Sequence, residues 1–556
     1  MQNIKQEIRD EIAKTISASI AVCGFEPVDF TVETPRERTN GDFSANAAML
    51  LVKTAKMPPR AIADKLASCI PTDGGLISKV EVAGPGFINF HLSSKWLREV
   101  PSIVEKNGSR YGAVTVGGGK KVMIEFVSAN PTGPMHMGNA RGGALGDSMA
   151  NVLDFAGYNV TKEFYLNDSG NQIEKFACSL EARYLQQCGV DVPFSEDWYQ
   201  GDDIKQRAKE VIEIKGTSLV TLDSEERKQA LVDYSLEKNI EGMKKTLSDY
   251  RINYDVWYRE SDLYKSGEVD EALAILKSRG FTYEKDGAVW FKSSAASDDE
   301  KDEVLVRANG VPTYFAADIA YHKNKFETRG FDKVIDIWGA DHHGHVARMK
   351  TAMDAVGVDS NKLEVVLMQL VRLMRGGEVA RMSKRSGKAI TLNDLLDEIG
   401  INAARFFFNM RNAGSHFDFD LDLAVEQSNN NPVFYVQYAH ARICSIIRLL
   451  KEDGIEVKPC ESIDLTLLQE EPELDLLREI AEFPDEIQAA AQILEPSRMT
   501  RYAAELANRF HSFYNACRVN IDDEPLRDAR LKLIDIARIT LANVLRILAV
   551  DAPEKM

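Results

Sequence analysis

The chain has 556 residues, 44% hydrophobic and 28% charged, with a formal net charge of −17. That composition fits a globular protein of three or four domains, and no apolar run is long enough to span a bilayer as a helix. The seven cysteines include no Cys-x-x-Cys pair, which fits a reducing cytosol and argues against a zinc ribbon or a disulfide framework.

In chain order, residues 1–115 read as a small α+β domain. The N-terminus opens an amphipathic helix (Ile4 to Cys23), not a signal peptide. Strand-like Phe30–Val32 leads to a polar loop with Arg36, Arg38 and Asn40, then helices over Asn46–Lys53 and Pro59–Ser68. Strands over Ile77–Val82 and Phe87–Leu92 close the unit. Gly117-Gly118-Gly119-Lys120 is a hinge; it is not a P-loop, since no Ser or Thr follows the lysine and a strand, not a helix, comes next. Val122-Met123-Ile124 is a buried strand, broken after Glu125 by Asn130, Pro131, Gly133 and Pro134, with a helix beginning after His136-Met137-Gly138-Asn139. With the strand Lys162–Leu166, this is the first half of a doubly wound, Rossmann-like nucleotide-binding sheet. Residues 170–300 read as an insertion of helices (Ile173–Cys188, Asp203–Lys215, Ser224–Leu247, Val269–Lys277), a strand Asp255–Tyr258, and a hairpin turning at Lys285-Asp286-Gly287. The α/β pattern resumes to residue 400. A hairpin turns at Asn309-Gly310, a helix carries Tyr314, Asp318 and Tyr321, and strand Val334–Trp338 ends at Gly339-Ala340-Asp341-His342-His343-Gly344-His345. One strand covers Leu363–Met374, and a helix covers Leu392–Ile399. Residues 401–556 read as an all-α bundle, with Tyr435, Tyr438, Tyr502, Phe510, Phe513 and Tyr514 as its helix packing.

Two stretches carry the chemistry. A helix entrance after a strand presents free backbone N–H groups and the positive end of a helix dipole to phosphate, and Gly138 lets a flat ring approach the backbone. Far downstream, Arg381-Met382-Ser383-Lys384-Arg385-Ser386-Gly387-Lys388 is a basic, glycine-containing loop. The acidic total does not exclude a nucleic-acid partner, because a local basic surface binds phosphate whatever the sum. Asp341-His342-His343-Gly344-His345 has metal-ligand residue types, but no second ligand cluster accompanies it, so no metal site is expected.

In this order and at this separation, the His136–Asn139 and Arg381–Arg385 stretches resemble the paired signatures of class I aminoacyl-tRNA synthetases. Asn139 stands where that family often has a second histidine, and Arg381 where it has a first lysine. Glu125, Ser128 and Asn130, and the Tyr314-x-x-x-Asp318 spacing, are similar to the blocks of arginyl-tRNA synthetases of bacterial type. So are Tyr165–Gln172, Asp255–Tyr258, Gly339–His345, Tyr435–Arg442 and the last residues, Ala552–Met556. The resemblance implies ATP-dependent activation of L-arginine to arginyl-adenylate and its transfer to the 3′ end of tRNA(Arg). It implies His136, Asn139 and Lys384 as catalytic residues. Pro131, Thr132, Gly133, His136, Gly138, Asn139, His342, His345, Met382, Ser383, Lys384 and Arg385 would lie around ATP, with Mg²⁺ carried on the nucleotide. Glu125, Ser128, Asn130, Tyr314, Asp318 and Asp341 would lie around arginine. It implies an N-terminal domain that meets the outer corner of tRNA through residues such as Asn40. The C-terminal anticodon-binding bundle would offer Arg498, Arg501 and Arg509. The expected state is a cytoplasmic monomer with no membrane partner.

Three other readings are kept for comparison. Cysteinyl-tRNA synthetases share the fold but grip their substrate through zinc, which solitary cysteines do not build. A free-standing adenylyltransferase would lack the long helical C-terminus. A non-catalytic tRNA-binding relative would have no chemical reason to keep both His136 and Lys384.

Overall fold

Isoleucine at every fourth position from Ile4 to Ile20 lays one apolar stripe along the first helix, α1 (Ile4–Val22), and all five side chains are buried. Burying each contributes about 1.5–3 kcal/mol. Asn3 starts the helix by accepting the Gln6 N–H, and Gly24, with a φ of +70°, ends it. The computed structural model describes residues 3–35, 37–72, 75–293, 302–380 and 390–556. Within the N-terminal unit, α1 and α2 (Pro59–Ser68) accompany an antiparallel sheet of β1 (Val32–Glu33), β2 (Phe43–Ala45), β3 (Ile77–Ala83) and β4 (Phe87–Leu92). Its order is β1-β2-β4-β3. The helix expected over Asn46–Lys53 is two short pieces, Ala47–Leu50 and Val52–Ala55.

The central sheet holds β5 (Lys121–Glu125), β6 (Asn159–Leu166), β7 (Val256–Arg259), β8 (Lys333–Gly339) and β9 (Leu363–Met368). The strands are all parallel, in the order β9-β8-β5-β6-β7. The chain winds outward from β5 through β6 to β7, then returns to the other side of β5 for β8 and β9. The reversal falls between β5 and β8, and in doubly wound sheets the crevice beyond the strand ends there receives ligands. Helix α3 (Asn139–Phe155) connects β5 to β6. Helices α4 (Gly170–Gln187), α5 (Asp202–Lys215) and α6 (Ser224–Asp249) follow, with a core of their own around Phe176, Tyr184 and Leu231. The segment set apart as an insertion thus also returns one strand, β7, to the central sheet.

Three local expectations change. The Asn309-Gly310 turn does not close a two-stranded hairpin. Only Glu303–Val306 is a strand, because Pro312 has no N–H to extend the ladder beyond one bridge and Tyr314 already begins α7 (Tyr314–Lys323). The single strand expected over Leu363–Met374 divides after β9. The Gln369 N–H bonds to Ala413 O, and its carbonyl accepts from the buried Arg141 (2.7 Å). The next strand, β10 (Val371–Arg375), therefore joins a separate small sheet with β11 (Glu378–Val379) and β12 (Phe417–Asp420). That last strand also interrupts the stretch read as wholly helical.

After α9 (Leu392–Ile399), the C-terminal helices α10 (Pro432–Glu452), α11 (Glu471–Ile493), α12 (Ser497–Ala516) and α13 (Glu524–Ile547) form a bundle. Buried Arg405 ties it to the central unit, donating to Asp147 (2.6 Å) on α3 and to Leu548 O (2.9 Å). Lys5 of α1 reaches Glu482 on α11 (2.6 Å). Beside that contact, burial among Glu482, Glu505 and Glu486 pushes the Glu479 carboxyl up to about 8. Between its ordinary value and about 8 the folded chain binds one more proton there than the unfolded chain, so this group's contribution to stability falls as pH rises through that window. Glu479→Gln is expected to flatten the fall in Tm between about pH 5 and pH 8, read by thermal melts across pH.

Candidate active site

The strand β5 ends at Glu125, and the chain then turns sharply. Val127 and Ser128 both have positive φ, +73° and +43°, and the Ser128 N–H bonds back to Phe126 O (3.1 Å). For a β-branched valine that backbone is strained, and such strain is held only where the surroundings fix it. Here they do: Ser128 Oγ donates to Glu125 (2.8 Å) and accepts the Tyr165 N–H (3.2 Å). The turn opens a cavity of about 450 Å³ between the ends of β5 and β8, the reversal point of the sheet. Glu125, Ser128, Tyr314, Asp318, Asp341, His342 and His345 line it, with Tyr165, Tyr321, His322, Trp338 and Arg348.

Tyr314, Asp318, Tyr321 and His322 sit at helical spacing on α7, so one face of this helix forms a wall. His345 on α8 (His343–Val356) approaches Asp318 at 3.3 Å, and the Tyr314 ring, largely exposed, stands 6.2 Å from the His345 ring. Asp341 and His342 lie exposed at the rim, 3.8 Å apart.

Beneath the cavity lies a buried ionic floor. After α7 the chain makes a π-helical turn, Asn324–Thr328, which rotates Lys325 inward. Its ammonium donates to Glu125 (2.6 Å) and Asp336 (2.9 Å). Tyr321 donates to Glu125 (2.9 Å) and also bonds Glu163, which Arg329 holds in turn. His322 contacts Asp318 O through Nδ1 and Asp336 through Nε2, both at 2.7 Å. Burial opposes the charge on Asp336, but Lys325 and His322 hold its carboxyl down at about 2. Burial opposes the charge on Lys325 too, yet Asp336, Glu125 and Glu163 outweigh it and hold the ammonium up. Burial pushes Glu125 up, against the pull of Lys325. The oxygens of Glu125 are thus engaged by Ser128, Tyr321 and Lys325. Asp318 stands on the wall with its side chain 29% exposed and His345 beside it, while Asp341 at the rim is 83% exposed.

The second constellation is the helix entrance. His136 Nδ1 accepts the Gly138 N–H (3.0 Å), so in the neutral ring the proton sits on Nε2, as an outward donor. A Cβ on Gly138 would stand 3.2 Å from that Nδ1. Asn139 Oδ1 accepts the His136 N–H (3.2 Å), which leaves the Asn139 amide NH₂ as a donor. No side chain caps the N-terminus of α3, so phosphate oxygens have donors on offer. Met137 N donates to Ile390 O (3.1 Å) and Leu392 N to Met135 O (2.9 Å). Ile390 and Leu392, which follow the basic stretch in sequence, are therefore paired with the first signature. Met382, Ser383, Lys384 and Arg385 themselves lie outside the described residues, as does Arg36.

Asn130 is exposed and does not line the cavity; Pro131 and Thr132 are buried. The Pro131 carbonyl accepts from the buried Asn239 of α6 (3.0 Å), whose own oxygen accepts from Arg207 (3.0 Å). This clamp was not visible in the sequence, because its partners lie about a hundred residues apart. Asn239→Ala strands a buried carbonyl, at about 1–3 kcal/mol. It is expected to raise KM for ATP roughly tenfold while KM for the amino acid stays within about twofold.

A family model described as "tRNA synthetases class I (R), catalytic domain" matches residues 99–428. "Arginyl tRNA synthetase N terminal domain" matches 2–92, and "DALR anticodon binding domain" matches 436–556. An arginine–tRNA ligase of Ruminiclostridium cellulolyticum is 56% identical over the whole of both chains. The chain belongs to the arginyl-tRNA synthetases. A second relative, an arginine–tRNA ligase of Caldanaerobacter subterraneus, is 57% identical over 100% of this chain and 99% of its own. The structure of Thermus thermophilus arginyl-tRNA synthetase shares the fold at a TM-score of 0.76, with 22% identity, over 99% of this chain and 100% of that one.

On the outer surfaces of this synthetase, Asn40 is exposed in a short 3₁₀ turn and lines a cavity of about 470 Å³ with Asn46, Phe87 and Asn89. Arg498 is tied to Glu486 by two bonds (2.6 and 2.9 Å), Arg509 pairs with Glu505 (2.7 Å), and Arg501 is exposed. The aromatic set read as packing divides. Tyr502, Phe510 and Phe513 are core, whereas Tyr435, Tyr438 and Tyr514 are half-exposed around His511 and Arg442. Among the described residues no helix is long and apolar enough to cross a membrane.

Proposed function

We propose that the cavity at the β5–β8 reversal holds the arginine of an arginine–tRNA ligase reaction, with ATP along the His136–Asn139 entrance. The observation that carries this is the Asp318 carboxylate, part-exposed beside His345 and on one helical face with Tyr314, above a floor whose carboxylates are held by Lys325. A guanidinium wants an ionised acceptor and an aromatic face, and this wall offers both.

The arginine carboxylate is already ionised, so its attack on the α-phosphorus of ATP needs no general base. It needs alignment and neutralisation of phosphate charge. His136 Nε2 and the Asn139 amide would donate to phosphate oxygens, and the Lys384 ammonium would offset the charge of the leaving pyrophosphate. The terminal ribose hydroxyl of tRNA(Arg) then takes the acyl group and AMP leaves. His342 and His345, which line the cavity, would meet ATP. Mg²⁺ suits this arrangement as a companion of the nucleotide, because phosphates supply the hard oxygens it prefers. Among the described residues no group of three His, Cys, Asp or Glu gathers to hold an ion. Asn40, Arg498, Arg501 and Arg509 would meet the tRNA. The reading extends to a cytoplasmic monomer, supported by free cysteines and by units that dock within one chain.

ATP–pyrophosphate exchange with each of the twenty amino acids, with and without total tRNA, tests the proposal. Exchange with arginine alone is expected, dependent on tRNA. Exchange with another amino acid, or none under any condition, would overturn it.

A further inference from the structure

Cys23 and Cys69 are 46 residues apart in sequence, and folding brings their sulfurs to 3.6 Å. Each is the residue directly after a helix: Cys23 ends α1 and Cys69 ends α2. Both helix ends are fixed by backbone bonds, Cys23 N to Ser19 O (2.9 Å) and Cys69 N to Leu66 O (3.1 Å). Cys69 is exposed and Cys23 partly so, and nothing in the arginine or ATP subsites touches them. We propose that Cys23 and Cys69 are a modification site, a thiol pair that a peroxide converts to an intramolecular disulfide joining the C-terminal ends of α1 and α2.

The sulfurs must approach by about 1.5 Å to reach disulfide length, a distance that side-chain rotation at two fixed helix ends supplies. Burial pushes the Cys23 thiol up, beside Cys69 and against the pull of the Lys65 ammonium, so the exposed Cys69 meets the oxidant first. Its thiolate attacks one peroxide oxygen. The S–O bond forms, the O–O bond breaks, and the departing hydroxide takes a proton to become water, leaving a sulfenic acid. The Cys23 sulfur then attacks the Cys69 sulfur. The S–S bond forms, the S–O bond breaks, and the hydroxide leaves with the Cys23 proton as a second water. Two thiols lose two electrons in all, and one peroxide becomes two waters. The proposal is independent of the arginine-site reading.

The test is intact mass and peptide mapping of the full chain after brief treatment with hydrogen peroxide at a few equivalents. The expected result is a loss of 2 Da and a linked peptide pair carrying Cys23 and Cys69, reversed by dithiothreitol. In Cys23→Ser the Cys69 sulfenic acid should instead be trapped by dimedone. The inference is overturned if Cys69 passes to sulfinic acid while Cys23 still alkylates. It is equally overturned if the linkage forms only between molecules, or if both thiols stay alkylatable while other cysteines oxidise.

Discussion

Replacing Asp318 by asparagine is expected to raise KM for arginine by roughly 30- to 1000-fold, which corresponds to about 2–4 kcal/mol for removing one partner of a hydrogen-bonded charge pair. Asparagine keeps the shape of the side chain and leaves the His322-to-Asp318 carbonyl bond untouched, so the floor beneath the cavity should stand. KM for ATP should stay within about threefold, since the phosphate donors sit on a different element. Steady-state exchange at varied arginine and varied ATP reads both. A rise of equal size in the two constants would mean that Asp318 supports the fold of the site and does not face the guanidinium.

The second large effect lies in the floor. Lys325 is fully buried between Glu125 and Asp336, and breaking a buried pair by removing one partner leaves charge uncompensated. Lys325→Met is therefore expected to cost about 3–5 kcal/mol of stability. The pH profile identifies the cause. Asp336 is held near 2 against an ordinary 3.8. Its contribution is present above the ordinary carboxylate value and is lost as pH falls through about 2. In Lys325→Met that contribution should vanish, so the deficit against wild type should be widest above about pH 4 and narrow on acidification. Chemical denaturation at several pH values measures it. A deficit that does not change with pH would point to lost packing, not to the ion pair. Pairing the change with Glu125→Gln should recover part of the loss, because one fewer carboxylate is then stranded.

Much of the architecture was legible because it rests on local patterns. The isoleucine stripe of α1, the apolar run before Glu125 and the Tyr314–Asp318 spacing each follow from side-chain periodicity, and the structure has them where that periodicity puts them. What stayed hidden depends on backbone geometry or on distant partners. A π-helical turn carries Lys325 off the 3.6-residue register, so no helical wheel would bring it beneath Glu125. Val127 and Ser128 take left-handed backbone without a glycine to announce it. Leu363–Met374 is one apolar run, yet Arg141, more than two hundred residues earlier, helps divide it between two sheets. Cys23 and Cys69 looked solitary because only the fold sets them side by side.

The central claim is that Asp318 faces the guanidinium end of arginine. A crystal structure of this protein with L-arginine bound tests it most directly. The guanidinium is expected within hydrogen-bond distance of the Asp318 carboxylate, with the α-carboxylate turned toward the His136–Asn139 entrance. Arginine bound the other way round, with its α-ammonium on Asp318, or bound outside this cavity, would contradict it.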